Sequence, residues 1–145
     1  MEGLAFAASV VGVVGPALHC VRQLVDDIQK IVDAPSAVKA LKDDLTTIDE
    51  ALTSLQTISD YQWESLGETV VNQTKAATNL CTQSCEKFRS AIGRWTRHSD
   101  VGGGKLSWRD RAMVGFFKQS QLKSTAEQLQ NCKSTLTWVV SIAVL

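Results

Sequence analysis

The chain has 145 residues, 44% of them apolar and 21% charged, with a net charge of zero at neutral pH. That size and balance suit one globular domain with a sizeable core and exclude a disordered or low-complexity chain. Zero net charge also excludes a partner drawn in by bulk electrostatics.

The chain opens with MEGLAFAASVVGVVGPAL, in which Glu2 is the single charge. A secretory signal needs a positive n-region, and this opening has an acid instead. Gly3 to Val21 is an uncharged run of 19 residues. As a helix it measures about 28 Å, close to the hydrocarbon thickness of a bilayer. Ser9, Gly12, Gly15, Pro16 and His19 weaken its hydrophobicity. It is therefore a marginal permanent span and a better fit for a helix able to change solvents.

A first helix is expected from Glu2 to about Val32. Proline lacks an N–H and clashes with the preceding turn, so a kink or break is expected at Gly15-Pro16. Beyond it, Leu18, Val21, Leu24 or Val25, Ile28 and Ile31 or Val32 continue an apolar stripe. Asp33-Ala34-Pro35-Ser36 then makes a turn. In the second helix Val38, Leu41, Leu45, Ile48, Leu52, Leu55 and Ile58 step by three and four, ending near Ser59-Asp60. A third helix is expected from Glu64 to Arg97, with Leu66, Val70, Ala77, Leu80, Phe88, Ile92 and Trp95 on its buried side. Its middle, NQTKAATN, is small and polar, which predicts close but weak packing. Ser99 to Gly104 reads as a flexible loop. The fourth helix is expected from Ser107, where Asp110 three residues on completes an approximate capping box. It continues through Met113, Phe116, Phe117, Leu122, Ala126, Leu129, Cys132, Leu136, Val139 and Val140. Short connections make neighbours antiparallel, which gives an all-α, up-down four-helix bundle with a kinked or broken glycine-rich N-terminal helix. In that topology the two uncharged ends of the chain lie together.

Charge is uneven. From Asp26 to Glu64 there are nine acids and three bases, and from Lys87 to Lys118 eight bases and two acids. The basic cluster, with Arg94, Arg97, Lys105, Arg109 and Arg111, suits anionic lipid or phosphate. The fold also brings it near Asp26, Asp27 and Asp33, and pairing with those acids is the plainer reading.

Enzyme chemistry has no foothold. His19 and His98 are far apart, and His19 reads as a core or boundary residue. There is no HExxH, no GxSxG and no phosphate-binding loop; GGGK before Leu106 has neither the spacing nor a preceding strand. Cys81 and Cys85 share one helix face without a third and fourth ligand for zinc. The four cysteines, Cys20, Cys81, Cys85 and Cys132, read as buried thiols. No catalytic residue, cofactor, metal or nucleic-acid partner is expected.

The small residues of the first helix include two small-xxx-small pairs, Ala5-Ser9 and Ala8-Gly12. Such spacing allows close helix approach in membranes, and it serves a soluble core equally. On spacing alone the core reading is favoured. Glycine costs a helix about 1 kcal/mol relative to alanine, so the arm up to Gly15 should be the least secured part of the bundle.

MEGLAFAASVVGVVGPAL resembles the opening of fungal domains that stand at the front of NOD-like (STAND) receptors. The stretch Lys105-Leu106-Ser107-Trp108-Arg109-Asp110-Arg111, followed by Lys133-Ser134-Thr135-Leu136 and an apolar finish, is similar to the far end of the same domains. The resemblance covers essentially all of the chain and extends to the HeLo-like domains of programmed cell death. It implies a cell-death effector, cytoplasmic at rest, that self-assembles when an upstream receptor clusters it. The effector would then move to the plasma membrane and permeabilise it with its N-terminal helix. It further implies that Leu4, Phe6, Val10, Val11, Val13 and Val14 meet lipid, while Ala8, Gly12 and Gly15 make helix–helix contacts. Gly3 stands where proline is commoner, and His19 falls at the segment's end. No nucleotide-binding domain, repeat or amyloid motif accompanies the domain, and the chain ends inside an apolar helix. An excised domain or a short family member is the expectation. A signalling adaptor that never touches lipid is the alternative.

Overall fold

The computed structural model describes residues 2–31, 36–99 and 119–144, with side chains described throughout except at 2–5, 94–99 and 119–121. Every element is a helix. They are α1 (Glu2–Gln29), α2 (Ser36–Leu55), α3 (Asp60–Leu66), α4 (Glu68–Ser99) and α5 (Gln119–Ala143).

The helices form because apolar residues recur every three or four positions, so each buries one stripe. In α2 the stripe is Val38, Leu41, Leu45, Ile48, Leu52 and Leu55, as the sequence predicts. In α5 it is Thr125, Leu129, Cys132, Leu136, Val139 and Ala143. In α1 it is Val10, Val14, Ala17, Val21, Leu24 and Ile28, with Leu18 and Cys20 beside it. Around the bundle α1 packs on α2 and α4, and α5 packs on the same two helices. Thus α1 and α5 stand on a diagonal. The contact between α1 and α4 is the most extensive.

Three expectations change. First, α1 is one continuous helix with Pro16 inside it. The missing N–H of Pro16 leaves the carbonyl of Gly12 without its helical donor. Both Pro16 and Gly12 are exposed, so the interruption lies on the outer side of the helix. The helix ends at Gln29, before Val32, through tighter bonds from Lys30 N to Asp27 O (3.3 Å) and Ile31 N to Ile28 O (3.0 Å).

Second, a short helix, α3, stands where a turn and the start of a long helix were expected. Ser59 caps it: its Oγ accepts from Gln62 N at 3.2 Å, and Gln62 Oε1 accepts from Ser59 N at 2.9 Å. This reciprocal pair satisfies two backbone donors that a helix start leaves free. Gly67, at φ +94°, separates α3 from α4. An L side chain is strained at that angle, and glycine is not.

Third, Phe88 and Ile92 are buried as expected, but the buried side of the first half of α4 is rotated from the expected one. Val71, Thr74, Thr78, Cys81, Cys85, Phe88 and Ile92 face the core. Val70, Ala77 and Leu80 are only partly buried. The threonine hydroxyls are satisfied within the helix: Thr74 Oγ1 donates to Val70 O (2.8 Å) and Thr78 Oγ1 to Thr74 O (2.7 Å). A buried hydroxyl bonded in this way avoids most of its desolvation penalty. The side chain of Trp95, the Ser99–Gly104 loop and the Ser107–Asp110 cap lie outside the described residues.

Candidate functional site

The candidate site is the N-terminal half of α1 and the groove that holds it. Its residues divide into an inner and an outer row. Val10 and Val14 are completely buried, and Phe6 is half-buried against the same core. Val13 is half-buried and Val11 is 44% exposed. The side chain of Leu4 lies outside the described residues.

Ala8 and Gly12 are exposed and Gly15 is half-buried. A Cβ placed on Gly12 or Gly15 would meet nothing within 4 Å. Ala8 and Gly12 therefore do not serve close packing in the soluble core, which corrects the favoured reading of that pair; of the other pair, Ser9 is half-buried and the side chain of Ala5 lies outside the described residues. The inner row is made of Phe6, Val10 and Val14, and the helix turns Gly12 and Gly15 outward. His19 is exposed too, and so is neither a core nor a boundary residue.

The polar ties of α1 that the described residues show all lie beyond Pro16. Arg22 donates from Nε to Asp49 Oδ2 (2.8 Å) and from Nη2 to Asp49 Oδ1 (3.2 Å), a two-pronged pair with α2. Arg89 of α4 donates from Nε to Asp27 Oδ2 (3.0 Å) and from Nη1 to Gln23 Oε1 (2.7 Å). Cys20 Sγ lies 3.9 Å from Glu86 Oε1 as a weak donor. The Arg22 guanidinium bonded to Asp49 holds that carboxyl below the usual carboxylate range. So, among the described side chains, the second half of α1 is fastened by charge and hydrogen bonds and the first half by apolar burial alone.

At the end of the bundle where α1 begins, α3 acts as a plug. It packs principally on α1, and Trp63 is its buried residue. The Trp63 Nε1–H has no hydrogen-bond partner. An unpaired buried donor costs about 1–3 kcal/mol, so this contact is weaker than its area suggests. Gln62 Nε2 donates to Ala143 O at 3.0 Å, which joins α3 to the end of α5. Tyr61 and Val144 are exposed at this end.

The basic cluster divides. Arg89 is paired with Asp27, in keeping with the plainer reading of that cluster. The side chains of Arg94 and Arg97, and residues Lys105, Arg109 and Arg111, lie outside the described residues.

The sequence reading missed α3 and the Trp63 plug. The signal was present: Ser59-Asp60-Tyr61-Gln62 is a capping box, with Gly67 as the stop.

Residues 1–145 match the family described as Pigment biosynthesis cluster protein PigL N-terminal (PigL_N), and the chain belongs to that family. No curated protein and no solved structure matches the chain significantly.

Proposed function

We propose that this member of the PigL_N family is a membrane-targeting effector domain of the HeLo-like kind, stowed as a bundle until clustering frees the first half of α1. The observation that carries the reading is α1 itself. Within the 24 residues of Phe6–Gln29 an 18-residue stretch reaches a mean hydropathy of 1.4, and this is, among the described residues, the one helix long and apolar enough to cross a bilayer. Among the described side chains its first half is held by Phe6, Val10 and Val14 and by no polar tie, so separation of residues 6–15 leaves no charge unpaired. The polar ties begin beyond Pro16, where Arg22 is paired with Asp49 of α2 and Asp27 with Arg89 of α4. The receptor link, self-assembly and cell death come from the resemblance of the opening and closing segments to fungal NOD-like receptor domains. The family match says nothing of them.

A specific observation also favours the adaptor reading. Val10, Val14, Ala17, Leu18, Val21, Leu24 and Ile28 are all core residues, which is what a permanently soluble helix needs.

Dye leakage from liposomes separates the two. The full chain, artificially clustered, is compared with a chain lacking residues 1–15. Leakage that requires the arm supports the effector. A folded, clustered full chain that leaves vesicles intact supports the adaptor.

A further inference from the structure

One side of the α4–α5 contact is built from small residues. Ala76 and Ala77 of α4 and Ser134 and Thr135 of α5 leave open the space that larger side chains would fill. The result is a groove of about 530 Å³ with Leu80 and Trp138 as its large apolar walls. It is short. Ser84 Oγ donates to Gln128 Oε1 at 2.6 Å, a bridge that ties α4 to α5 about one turn beyond Leu80 and Asn131. From Gln73 to Leu80 the α4 wall is two turns, about 11 Å. Two features set this groove apart from a simple packing gap. None of the described residues that line it is charged, and Lys133, in the same stretch of α5, is paired with Asp44 of α2 at 2.8 Å. Among the described residues, the side chains of Gln73, Asn131, Ser134 and Thr135 make no hydrogen bond. By contrast Thr74, Thr78 and Thr137 return their hydroxyls to the preceding turn. Trp138 is 48% exposed. Four hydrogen-bonding side chains and one exposed indole thus converge on an uncharged space.

We propose that this groove binds a small, uncharged, ring-containing molecule. Its flat face packs on Trp138 and Leu80, and its polar edge exchanges hydrogen bonds with the amides of Gln73 and Asn131 and the hydroxyls of Ser134 and Thr135. The inference is independent of the membrane reading above, because no residue of α1 lines the groove. The size and the mixture of apolar walls with a few polar groups are those of a small-molecule site. An aromatic ring on an indole gains more than its buried area alone supplies. The four polar side chains are hydrated in the free protein, and a ligand that offers matching groups replaces that water without leaving a donor or acceptor unpaired. A charged ligand would give up its hydration for a space that holds no opposite charge.

Other occupants and other places fit less well. A stable protein partner covers about 800 Å² on each side, more than a two-turn groove offers. The hollow between α1 and α2 is lined by Arg22, Asp26, Asp49 and Glu50, and its one base is already paired with Asp49. Among the described residues no group of three or more His, Cys, Asp or Glu side chains is placed to hold a metal ion.

The full chain is titrated with N-phenylnaphthylamine, an uncharged aromatic probe whose emission rises out of water, and with its sulfonated analogue, which has the same rings and a negative charge. Saturable binding of one uncharged probe per chain is expected, with a raised Tm. Ala76→Leu fills the groove and Trp138→Ala removes its aromatic wall. Both positions are exposed, so the fold should survive both changes, as circular dichroism checks. Each should weaken the probe about tenfold. Tyr61→Ala, at an exposed aromatic outside the groove, should leave binding unchanged. The proposal is overturned if the folded chain shows no saturable binding, if binding ignores both groove variants, or if the sulfonated analogue binds equally well. A concentration-dependent dimer that Trp138→Ala dissolves, seen by sedimentation equilibrium, would also overturn it and make the groove a protein interface.

Discussion

Arg89 of α4 donates its Nε–H to Asp27 of α1 at 3.0 Å, and the same guanidinium reaches Gln23. This is the point at which the lower half of α1 is fixed to its main neighbour. Both partners are partly shielded, with side chains 34% and 24% exposed. A pair in such surroundings contributes about 1 kcal/mol. Arg89→Ala should therefore lower the urea midpoint by that order. A double-mutant cycle with Asp27→Asn should return a coupling of similar size, and full additivity of the two variants would show the pair to be idle.

Gly12 and Gly15 point away from the core, and a methyl group on either meets no neighbour. Each change to alanine should stabilise the resting bundle by about 0.5–1 kcal/mol, through helix propensity and a less disordered unfolded chain. Thermal unfolding reads this directly. If α1 associates in a membrane through these positions, the same two variants should leak vesicles less while melting higher. A rise in Tm with unchanged leakage would remove the glycines from the mechanism.

Val11 and Val14 look alike in the sequence and differ completely in the fold. Val11→Asp places a charge in water and should change stability by no more than about 0.5 kcal/mol. In a bilayer the same charge costs about 2.5–3.5 kcal/mol at the helix centre. Leakage should fall with the fold intact, as circular dichroism would record. Val14→Asp buries the charge in the bundle and should cost several kcal/mol, so its loss of function would be a folding effect.

The Arg22–Asp49 pair gives stability a pH dependence of known sign. Asp49 is held below its unfolded value of about 3.9, so its contribution is fully present above roughly pH 5 and is lost as pH falls through the lowered folded value. Below that, both states are protonated and the contribution is gone. Asp49→Asn should flatten the urea midpoint between pH 5 and pH 2 by roughly this contribution, and an unchanged profile would assign the acid sensitivity to other carboxylates.

Trp63 tests the plug. Trp63→Ala leaves a cavity and should cost about 3–5 kcal/mol. Trp63→Phe keeps most of the ring and removes the unpaired N–H, so it should cost much less. Hydrogen exchange at residues 6–14 should quicken in the alanine variant before it quickens at residues 17–31. Equal acceleration along all of α1 would mean that Trp63 supports the bundle as a whole.

Much of this architecture is legible from periodicity. The seam of α2 reads directly from Val38 to Leu55, because all its members but Ala51 are large aliphatics and most outward positions are polar. The seam of α4 does not, because Thr74, Thr78, Cys81 and Cys85 occupy it. A threonine buries its methyl while its hydroxyl returns to the preceding turn, and hydropathy alone does not reveal that bond. Periodicity consequently puts Ala77 and Leu80 inside, whereas they line a groove together with Trp138. The same limit applies to α1. Small-residue spacing marks a face that can approach closely, and nothing in the spacing states whether that face is in use. Here Val10 and Val14 decide the orientation, and Gly12 follows them outward.

The contact between α1 and α4 also governs how the chain is born. The three ties from Cys20, Gln23 and Asp27 to α4 join positions 62 to 66 residues apart. On the ribosome α1 emerges first, and its principal partner does not yet exist. At about 5–20 residues per second it waits for seconds with its valine row uncovered and only α2 to lean on. The nascent protein is thus more open to a bilayer, or to a chaperone, than the finished one. Closing α4 over α1 is the step of synthesis that makes this helix safe in water.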